Sequence, residues 1–403
     1  MAAAGQRVAV CFGGPSVEHD VSIITAQQLM EALSERHRPI PIYLARDGRF
    51  WTGEGLRDVA SFGGDEPEGA QACELRLGPA GGSGFVRPSG SRLGKDDRID
   101  VDVVLCAIHG TGGEDGALLG ALELTDLPYA GGGVGPAAVG MNKATSKAVF
   151  RAAGLSVNPD LTLGREEFSS DPRATTERAA EAFGLPCYVK PISLGSSIGV
   201  ARCTETDELE EALELCFELD RTALVEPALD EAIEINCAVL GRPGGEPRVS
   251  VCEQPVKQEE LLTFEAKYMS GAKKAGRAEQ ESGSKSGDGM AAQDRLIPAP
   301  ISDDLTEAIQ DAARRAHRAL GFAGIVRYDF LITDPQGDPG VILNEPNTVP
   351  GSFAFYLFDP IGISFPELGE ALIDIAVAEA AERRATTRVF ESVLLQSHRG
   401  DAS

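Results

Sequence analysis

The chain has 403 residues, of which 42% are hydrophobic and 25% are charged, and it carries a formal net charge of −25 at pH 7. A chain of this length exceeds one typical core, so we expect two or three domains. The acidic balance disfavours nonspecific binding to nucleic acid or to an anionic membrane, so neither is expected as a partner. No apolar run is long enough to span a bilayer, and no signal peptide is indicated.

Eight cysteines are scattered along the chain, mostly within apolar runs, and none forms a Cys-x-x-Cys pair. Neither a zinc site nor a redox motif is therefore indicated. Reduced thiols within the core are the simpler interpretation, and they predict a cytoplasmic protein.

The first third of the sequence predicts an open parallel α/β sheet. Apolar runs predict strands over residues 7–12, 39–45 and 100–108. Helical periodicity between about 17 and 33 indicates that a helix connects the first two strands. Residues 46–100 are rich in glycine, proline and charge, and they predict loops and edge structure with weak strands only at 74–77 and 84–87.

The remainder of the sequence predicts two further units of mixed α and β structure. Strands are expected over residues 183–190, 199–203, 223–226, 231–240, 248–252, 324–332 and 340–344. Helices are expected over residues 142–153, 205–218, 303–320 and 366–383. The stretch after Lys267 is polar, rich in glycine and serine and without period, which is typical of a mobile, lid-like loop. We predict domains over 1–134, 135–230 and 231–395, a loop at about 257–297 and a tail over 396–403.

Two neighbouring strands of the last unit carry polar side chains. Alternate residues of a strand point to the same side, so Arg327 and Asp329 share one face, and so do Glu345 and Asn347. Their neighbours are apolar, as in buried strands, and buried polar groups need partners. A hard cation suits two carboxylates and an amide oxygen, with water or phosphate oxygens completing its shell. A structural network of salt bridges is the alternative interpretation.

A glycine- and serine-rich segment over residues 190–199 joins two predicted strands. Its backbone N–H groups could approach a phosphate and Lys190 could supply charge, although a simple hairpin is the alternative. Another buried strand ends at Glu226 and Pro227, where backbone groups could meet a planar base, and Pro227 offers only its carbonyl. Glu234 could accept hydrogen bonds from a ribose, or it is a solvated strand residue.

Two loops of the first sheet hold further candidate residues. Glu18 lies at the first turn of a helix, where an anion is favoured, and a simple N-terminal charge is the alternative. His109 and Glu114 lie in a glycine-rich loop after a strand, at the edge where open α/β sheets usually bind ligands. A lone histidine in such a loop is otherwise uninformative.

Taken in order, these segments resemble the D-alanine–D-alanine ligase family of the ATP-grasp superfamily, and the resemblance extends over nearly the whole chain. The matching segments are residues 8–22, 109–116, 141–143, 188–199, 264–268, 327–329 and 344–351. The resemblance implies a three-domain ATP-grasp fold of the α/β and α+β classes with an N-terminal open parallel α/β domain. It also implies ATP-dependent formation of a peptide bond between two small-molecule amino acids through an acyl phosphate.

Carried over residue by residue, the resemblance implies roles for individual side chains. It implies contacts to ATP from Lys143, Lys190, Ser196, Glu226, Pro227, Leu229, Glu234 and Lys267. It implies two Mg²⁺ ions, with Mn²⁺ as an alternative, on Asp329, Glu345 and Asn347. It implies contacts to the amino acids from Glu18, His109, Lys267 and Tyr356. It implies that Glu18, Ser196 and Tyr268 form a hydrogen-bonded set that closes the ω-loop. It also implies that Arg327 and the Gly351 N–H form an oxyanion site.

The chain departs from the family pattern at the second amino acid. Tyr356 stands where the family usually has a serine that contacts the carboxylate of this amino acid, and Pro346 stands where an aliphatic residue is usual. The loop after Tyr268 is also longer than the family pattern. The ATP and metal positions match, so we expect retained ATP activation with a changed acceptor pocket.

The sequence therefore predicts a cytoplasmic ligase that joins D-alanine to D-alanine for peptidoglycan of the cell wall, and the resemblance suggests a homodimer. One alternative is a ligase of the same mechanism with another acceptor, in resistance or specialised metabolism, which residues 353–358 favour. A second alternative is a nucleotide-binding module without turnover. The retained residues Arg327, Asp329, Glu345 and Asn347 argue against that module.

Overall fold

The protein contains three β-sheets flanked by helices. The structure is a computed structural model, and it describes residues 5–63, 66–78, 83–89, 94–256 and 295–387. Each predicted domain range contains one sheet, and the domain limits themselves stay a prediction. Within the described ranges, no helix is long and apolar enough to cross a membrane.

The first sheet contains eight strands. They are β1 (Arg7–Gly13), β2 (Arg38–Leu44), β3 (Phe50–Thr52), β4 (Gln71–Arg76), β5 (Gly84–Arg87), β6 (Asp97–Arg98), β7 (Val103–Cys106) and β8 (Tyr129–Ala130). The spatial order is β6-β5-β4-β3-β2-β1-β7-β8. The pairs β2–β1, β1–β7 and β7–β8 are parallel, which confirms the predicted open parallel sheet.

Helices pack on the parallel part of this sheet. They are α1 (His19–Leu33), α2 (Ala117–Glu123) and α3 (Val134–Met141). Helix α1 buries Ile23, Ala26, Met30 and Leu33, whose spacing of three or four residues places them on one face. This packing fixes the start of α1, and therefore Glu18, beside the carboxyl ends of β1 and β7.

The segment over residues 46–100 contains more strands than the sequence predicts. Strands β3, β4, β5 and β6 pair antiparallel and extend the sheet beyond β2. Short 3-10 helices at Glu54–Arg57 and Val59–Phe62 interrupt them. The expected edge structure and the strand at 84–87 are confirmed, since this segment extends the edge of the sheet and β5 spans Gly84–Arg87. The prediction missed β3 and β6 and shifted β4, because these strands are short and β4 exposes polar side chains that hide an apolar pattern.

The second sheet contains four antiparallel strands. They are β9 (Leu161–Gly164), β10 (Cys187–Pro191), β11 (Ala201–Cys203) and β12 (Thr222–Pro227), in the spatial order β11-β10-β12-β9. The accompanying helices are α4 (Lys143–Ala152), α5 (Arg165–Ser170), α6 (Pro172–Phe183) and α7 (Thr206–Leu219). The strand predicted over residues 183–190 was wrong at its start, because Phe183 ends α6 and the strand begins only at Cys187.

The third sheet contains five antiparallel strands. They are β13 (Ile233–Gly241), β14 (Arg248–Pro255), β15 (Arg295–Leu296), β16 (Gly324–Thr333) and β17 (Gly340–Asn347), in the spatial order β15-β14-β13-β16-β17. Its helices are α8 (Asp303–Leu320), α9 (Phe355–Phe358) and α10 (Phe365–Ala385), with 3-10 helices at Gly351–Ala354 and Asp359–Ile361. Helix α8 spans the predicted residues, since Ser302 caps its first turn and Gly321 ends it in the left-handed conformation.

The largest apolar core joins the first and third sheets. It contains Val10 of β1, Leu29 of α1, Leu240 of β13 and Leu372 of α10, all nearly fully buried. Helix α10 contacts α1, β7 and β8, so the last described helix covers the first sheet. The prediction assigned residues 366–383 to the third unit, and sequence order alone does not show that this helix packs on the first sheet.

All eight cysteines are buried, which confirms that their thiols lie in the core, and none is bridged in the structure. Lys267, Tyr268 and the predicted tail over 396–403 lie outside the described residues. So does most of the predicted loop at about 257–297, although its last part was wrong because Arg295 and Leu296 form β15.

Candidate active site

A cleft of about 570 Å³ lies between the second and third sheets. Residues of both sheets and of the β10–β11 connection line it, including Lys143, Lys190, Glu226, Pro227, Leu229, Glu234 and Glu345. Tyr188, Asn158 and Asn344 line it as well. A concave site with a small number of convergent polar groups is the usual form of a small-molecule site.

Two lysines share the carboxylate of Glu226 at the floor of this cleft. Glu226 is 1% exposed, and Lys190 Nζ lies 2.6 Å from its Oε2 atom. Lys147 of α4, equally buried, forms an ion pair with the Oε1 atom of the same carboxylate. Burial lowers the pKa of Lys147 to about 7 and that of Lys190 to about 8, so at pH 7 Lys190 is mostly charged and Lys147 partly charged. Together they outweigh the single negative charge of Glu226, which suits a ligand that carries phosphate.

The end of strand β12, at Pro227, is fixed by a hydrogen bond to its carbonyl and leaves one strand edge unpaired. Asn158 Nδ2 donates to the Pro227 carbonyl oxygen at 3.0 Å. Strand β9 pairs with β12 only as far as Val225, so Glu226 and Pro227 have no strand partner on that side. The backbone here can therefore meet the edge of a planar group, as the sequence predicts.

The polar face predicted on the last two strands forms in β16 and β17. Arg327 Nε and Nη2 donate to Asp329 at 2.7 and 2.8 Å, and Asn347 Nδ2 donates to Asp329 at 2.8 Å. The register places Asn347 opposite Arg327 and Glu345 opposite Asp329, with an irregularity just beyond Asp329. Burial raises the pKa of Asp329, and the adjacent Arg327 guanidinium opposes this rise.

Glu345 connects this face to the cleft. Its Oε2 atom lies 3.5 Å from Lys143 Nζ, and Lys190 lies close enough to interact with it electrostatically. Burial opposes the ionisation of Glu345, but Lys143 and Lys190 outweigh burial and lower the pKa of this carboxyl. Glu345 is therefore ionised at neutral pH and can bind a cation.

Glu18 lies on the other side of the β10–β11 connection. Ser196 Oγ donates to Glu18 Oε1, and the second carboxylate oxygen of Glu18 is buried and has no hydrogen-bond partner among the described residues. Burial raises the pKa of Glu18, and Glu114 adds to this rise. A Cβ atom on Gly195 would lie 2.8 Å from Glu18 Oε2, so a larger residue here would displace the Glu18 carboxylate or the loop. An unpaired buried carboxylate oxygen is a suitable acceptor for an ammonium group.

His109 is buried beside this carboxylate. Its Nε2 atom lies 3.0 Å from Thr25 Oγ1 of α1. Burial lowers the pKa of His109 to about 4, although Glu18 raises it. His109 is therefore neutral at pH 7, and it can orient a ligand but does not supply a positive charge.

Glu114 links the loop after β7 to the segment after β17. It accepts hydrogen bonds at 2.8 Å from the Gly110 and Val349 N–H groups and at 3.2 Å from Thr348 Oγ1. These bonds hold the approach to Gly351 against the first sheet. The sequence places Glu114 in a ligand-binding loop and gives no sign of this partner, which is 235 residues away.

The segment after Gly351 is strained. Ser352, Phe353 and Ala354 have φ values of 52°, 51° and 48°, a left-handed conformation that costs non-glycine residues about 1–2 kcal/mol each. Ser352 is held by α1, because its N–H donates to Thr25 Oγ1 at 3.3 Å and its hydroxyl donates to Gln28 Oε1 at 2.7 Å. Strain of this kind is found at functional sites.

The structure therefore brings the candidate residues into two adjoining groups. One group lines the cleft, and the other comprises Glu18, His109, Ser196, Arg327, Asp329, Asn347 and Gly351. No role was predicted for Lys147, although it lies four residues after Lys143 on the buried side of α4, with Phe150. A lysine on the apolar side of an amphipathic helix is the signal that could have found it.

Comparisons with known proteins agree with this arrangement. Family models described as "D-ala D-ala ligase N-terminus" and "D-ala D-ala ligase C-terminus" match residues 7–132 and 149–374. A D-alanine–D-alanine ligase of Bacillus pumilus is 33% identical over 384 residues, which cover 94% of this chain and 98% of the relative. A D-alanine–D-alanine ligase of Pelodictyon phaeoclathratiforme is 34% identical over 383 residues, which cover 92% of this chain and 97% of the relative.

Solved structures give the same result. The D-alanine–D-alanine ligase of Coxiella burnetii has a TM-score of 0.74 at 25% identity, covering 99% of both chains. The VanG D-Ala:D-Ser ligase of Enterococcus faecalis has a TM-score of 0.73 at 26% identity, covering 92% of this chain and 99% of its own. The three sheets with their cleft are the ATP-grasp fold. Within that class, the chain belongs to the D-alanine–D-alanine ligase family.

Proposed function

We propose that this protein is an ATP-dependent ligase that joins two molecules of D-alanine into D-alanyl-D-alanine, a precursor of peptidoglycan. One observation carries the proposal. The cleft with its lysine-paired floor opens beside a buried carboxylate oxygen of Glu18 that has no partner among the described residues, and beside the Arg327–Asp329 pair. A phosphate donor and an amino acid would therefore meet at this place.

The nucleotide occupies the cleft in this proposal. The adenine lies against the strand end, where Glu226, the Pro227 carbonyl and the Leu229 backbone supply acceptors and donors, and Glu234 takes the ribose. Lys143, Lys190, Ser196 and Lys267 hold the phosphates. Support comes from the position of these residues, except Ser196 and Lys267, in the lining of one cleft.

Two Mg²⁺ ions, or Mn²⁺ in their place, would be held by Asp329, Glu345 and Asn347, and they would neutralise charge on the phosphates. The donor set fits a hard cation, because it consists of two carboxylates and an amide. Among the described residues, no group of three or more His, Cys, Asp or Glu side chains forms a site. Phosphate or water oxygens would therefore complete the shell.

Glu18 accepts the ammonium of the first amino acid, and neutral His109 lies beside it. A carboxylate oxygen of this amino acid attacks the γ-phosphorus, and ADP leaves. The amine of the second amino acid then attacks the acyl carbon, phosphate leaves, and a peptide bond forms. Arg327 and the Gly351 N–H stabilise the oxyanion, and loss of one such donor costs about 10²–10³ in rate. Glu18, Ser196 and Tyr268 would close the site against water.

A second candidate function differs only in the acceptor. Tyr356 stands where the family usually has serine, and one similar structure is titled a D-Ala:D-Ser ligase. Tyr356 would contact the carboxylate of the second amino acid through its hydroxyl. A longer side chain at this position favours an acceptor other than D-alanine, in resistance or specialised metabolism.

The proposed reaction also bears on the location, substrates and oligomeric state of the enzyme. Unbridged thiols are typical of a reducing compartment, so we propose a cytoplasmic location, where ATP is available. Amino acids are the proposed partners, and the homodimer suggested by the resemblance stays a prediction. Size-exclusion chromatography with light scattering tests the dimer.

The first test is release of ADP and phosphate with Mg-ATP across single D- and L-amino acids and their pairs, with products identified by mass. Turnover with D-alanine alone, giving the dipeptide, is expected. Turnover only with D-alanine and another acceptor would support the second candidate. ATP binding without ADP release with any pair would contradict both, and Asp329→Asn serves as the inactive control.

A further inference from the structure

Three side chains form one buried cluster, and the proposed function assigns a role to only one of them, Tyr356. Glu253 of β14, Arg295 of β15 and Tyr356 of α9 make up the Glu253–Arg295–Tyr356 cluster. Arg295 Nη1 donates to Glu253 Oε2 at 2.8 Å, and the Arg295 guanidinium carbon lies 4.1 Å from the centre of the Tyr356 ring. Tyr356 Oη donates to Glu253 Oε1 at a long 3.4 Å. The ring is thus stacked on one side and bound at its tip.

The pair within this cluster is buried more deeply than ion pairs usually are. The side chain of Arg295 is 10% exposed and that of Glu253 is 2% exposed. Removing two charges from water is costly, and an apolar pair of similar volume often stabilises a fold equally well. Stability is therefore a weak explanation for this pair, and its contact with Tyr356 suggests a role in orientation.

The cluster adjoins the reactive face. Strand β14 pairs with β13, and β13 pairs with β16, which carries Arg327. Arg327 is close enough to interact electrostatically with both Tyr356 and Glu253. Tyr356 therefore lies near two guanidinium groups, those of Arg327 and Arg295, which would attract a carboxylate.

The backbone of Tyr356 is fixed from the opposite side. The strained left-handed turn over Gly351–Ala354 precedes α9, and the bonds of Ser352 to Thr25 and Gln28 hold this turn on α1. The main chain of Tyr356 thus depends on the first sheet, whereas its ring depends on β14 and β15. Two independent supports for one side chain indicate that its position matters.

We propose that Arg295 and Glu253 are positioning residues that fix the Tyr356 ring, and that the fixed ring restricts the second amino acid to a small side chain. The inference rests on the proposed ligase function. The long hydrogen bond from the Tyr356 hydroxyl to Glu253 can be exchanged for one to the acceptor carboxylate, while the cation stacked on the ring keeps the ring from turning. A ring that is held still leaves little room for a large acceptor.

The test compares three variants with the wild type. Arg295→Met removes the stacked cation but leaves Glu253 buried without it, so this variant could fail to fold. The double variant Glu253→Gln, Arg295→Met removes both charges and avoids that problem. Arg242→Met is the matched control, because it removes a partly buried arginine that directly follows β13 and pairs with Glu379 of α10 at 3.2 Å, away from the cluster.

Steady-state kinetics separate the two amino-acid sites. With D-alanine as the first amino acid, the double variant is expected to raise the KM of the second amino acid roughly 10-fold. This is the effect of losing one positioned hydrogen bond to the acceptor. The KM values of ATP and of the first amino acid should stay unchanged. Acceptors larger than D-alanine, such as D-valine, should gain relative to D-alanine. Equal changes at both sites, or the same changes in Arg242→Met, would overturn the proposal.

A crystal structure of the double variant gives an answer that does not need turnover. The Tyr356 ring should leave the position it has in the wild type or become disordered. A ring that stays in place without Arg295 and Glu253 would overturn the positioning role even if the enzyme makes dipeptide. A wild-type enzyme without turnover on any pair would instead overturn the proposed function, while the ring position still decides the role of Arg295.

Discussion

Glu234 offers a direct test of the electrostatics of the cleft. It lines the cleft on β13, in electrostatic contact with Asp329 and Glu345. Burial first, and Asp329 second, raise the pKa of Glu234 from the ordinary 4.5 to about 7. A glutamate in this state is partly protonated at neutral pH, before any ligand binds.

The sign of the effect on stability follows from proton linkage. Between pH 4.5 and about 7 the folded protein binds more protons at Glu234 than the unfolded chain does. The free energy of unfolding therefore falls as pH rises through this window. A difference of about 2.5 pKa units corresponds to at most about 3.4 kcal/mol, or about 4 °C in Tm for a chain of this length.

Replacement of this carboxyl by an amide removes the effect without changing the shape. We expect Glu234→Gln to gain about 3 °C in Tm relative to the wild type when pH is raised from about 5 to about 8, since this range covers most of the titration window. Thermal unfolding followed by circular dichroism measures the difference. Glu231→Gln is the control, because Glu231 is exposed on the turn just before β13. Wild-type and Glu234→Gln profiles that run parallel would refute the argument from burial.

Three other predictions concern the floor of the cleft and the amino-acid site. Lys147→Met leaves the buried Glu226 carboxylate with one cation, so ATP affinity should fall at least about 10-fold by calorimetry, whereas Lys147→Arg should lose less. His109 should titrate near pH 4 by NMR, because burial opposes its charge, and a midpoint near its ordinary 6.5 would contradict this. Gly195→Ala should reduce kcat/KM for D-alanine about 100-fold, since its Cβ would meet Glu18 at 2.8 Å, and an active variant would show that the loop can move away.

Sequence patterns predict the polar face of β16 and β17 because their information is local. Two-residue alternation places Arg327 with Asp329 and Glu345 with Asn347, whatever the rest of the chain does. The same pattern does not give the register between the strands, which an irregularity after Asp329 helps to set. The facing of Glu345 and Asp329 is therefore a finding of the structure.

Contacts between distant segments were beyond the reach of sequence patterns. Lys147 and Glu226 lie 79 positions apart, and their ion pair forms only when folding brings α4 close to β12. The Arg295–Glu253 pair joins two strands on either side of a long polar stretch. The extra strands over residues 46–100 were missed for another reason, since polar side chains mask a short strand at a sheet edge.

The core shared by α1 and α10 has a consequence for how the protein is made. Roughly 330 residues separate the two helices in the chain. At about 5–20 residues per second, α1 emerges from the ribosome roughly 20–70 s before α10. During that interval Leu29 and its neighbours lack the surface of Leu372 that later covers them. The first sheet is thus built early and completed last, and a nascent chain needs protection from aggregation until translation is nearly finished.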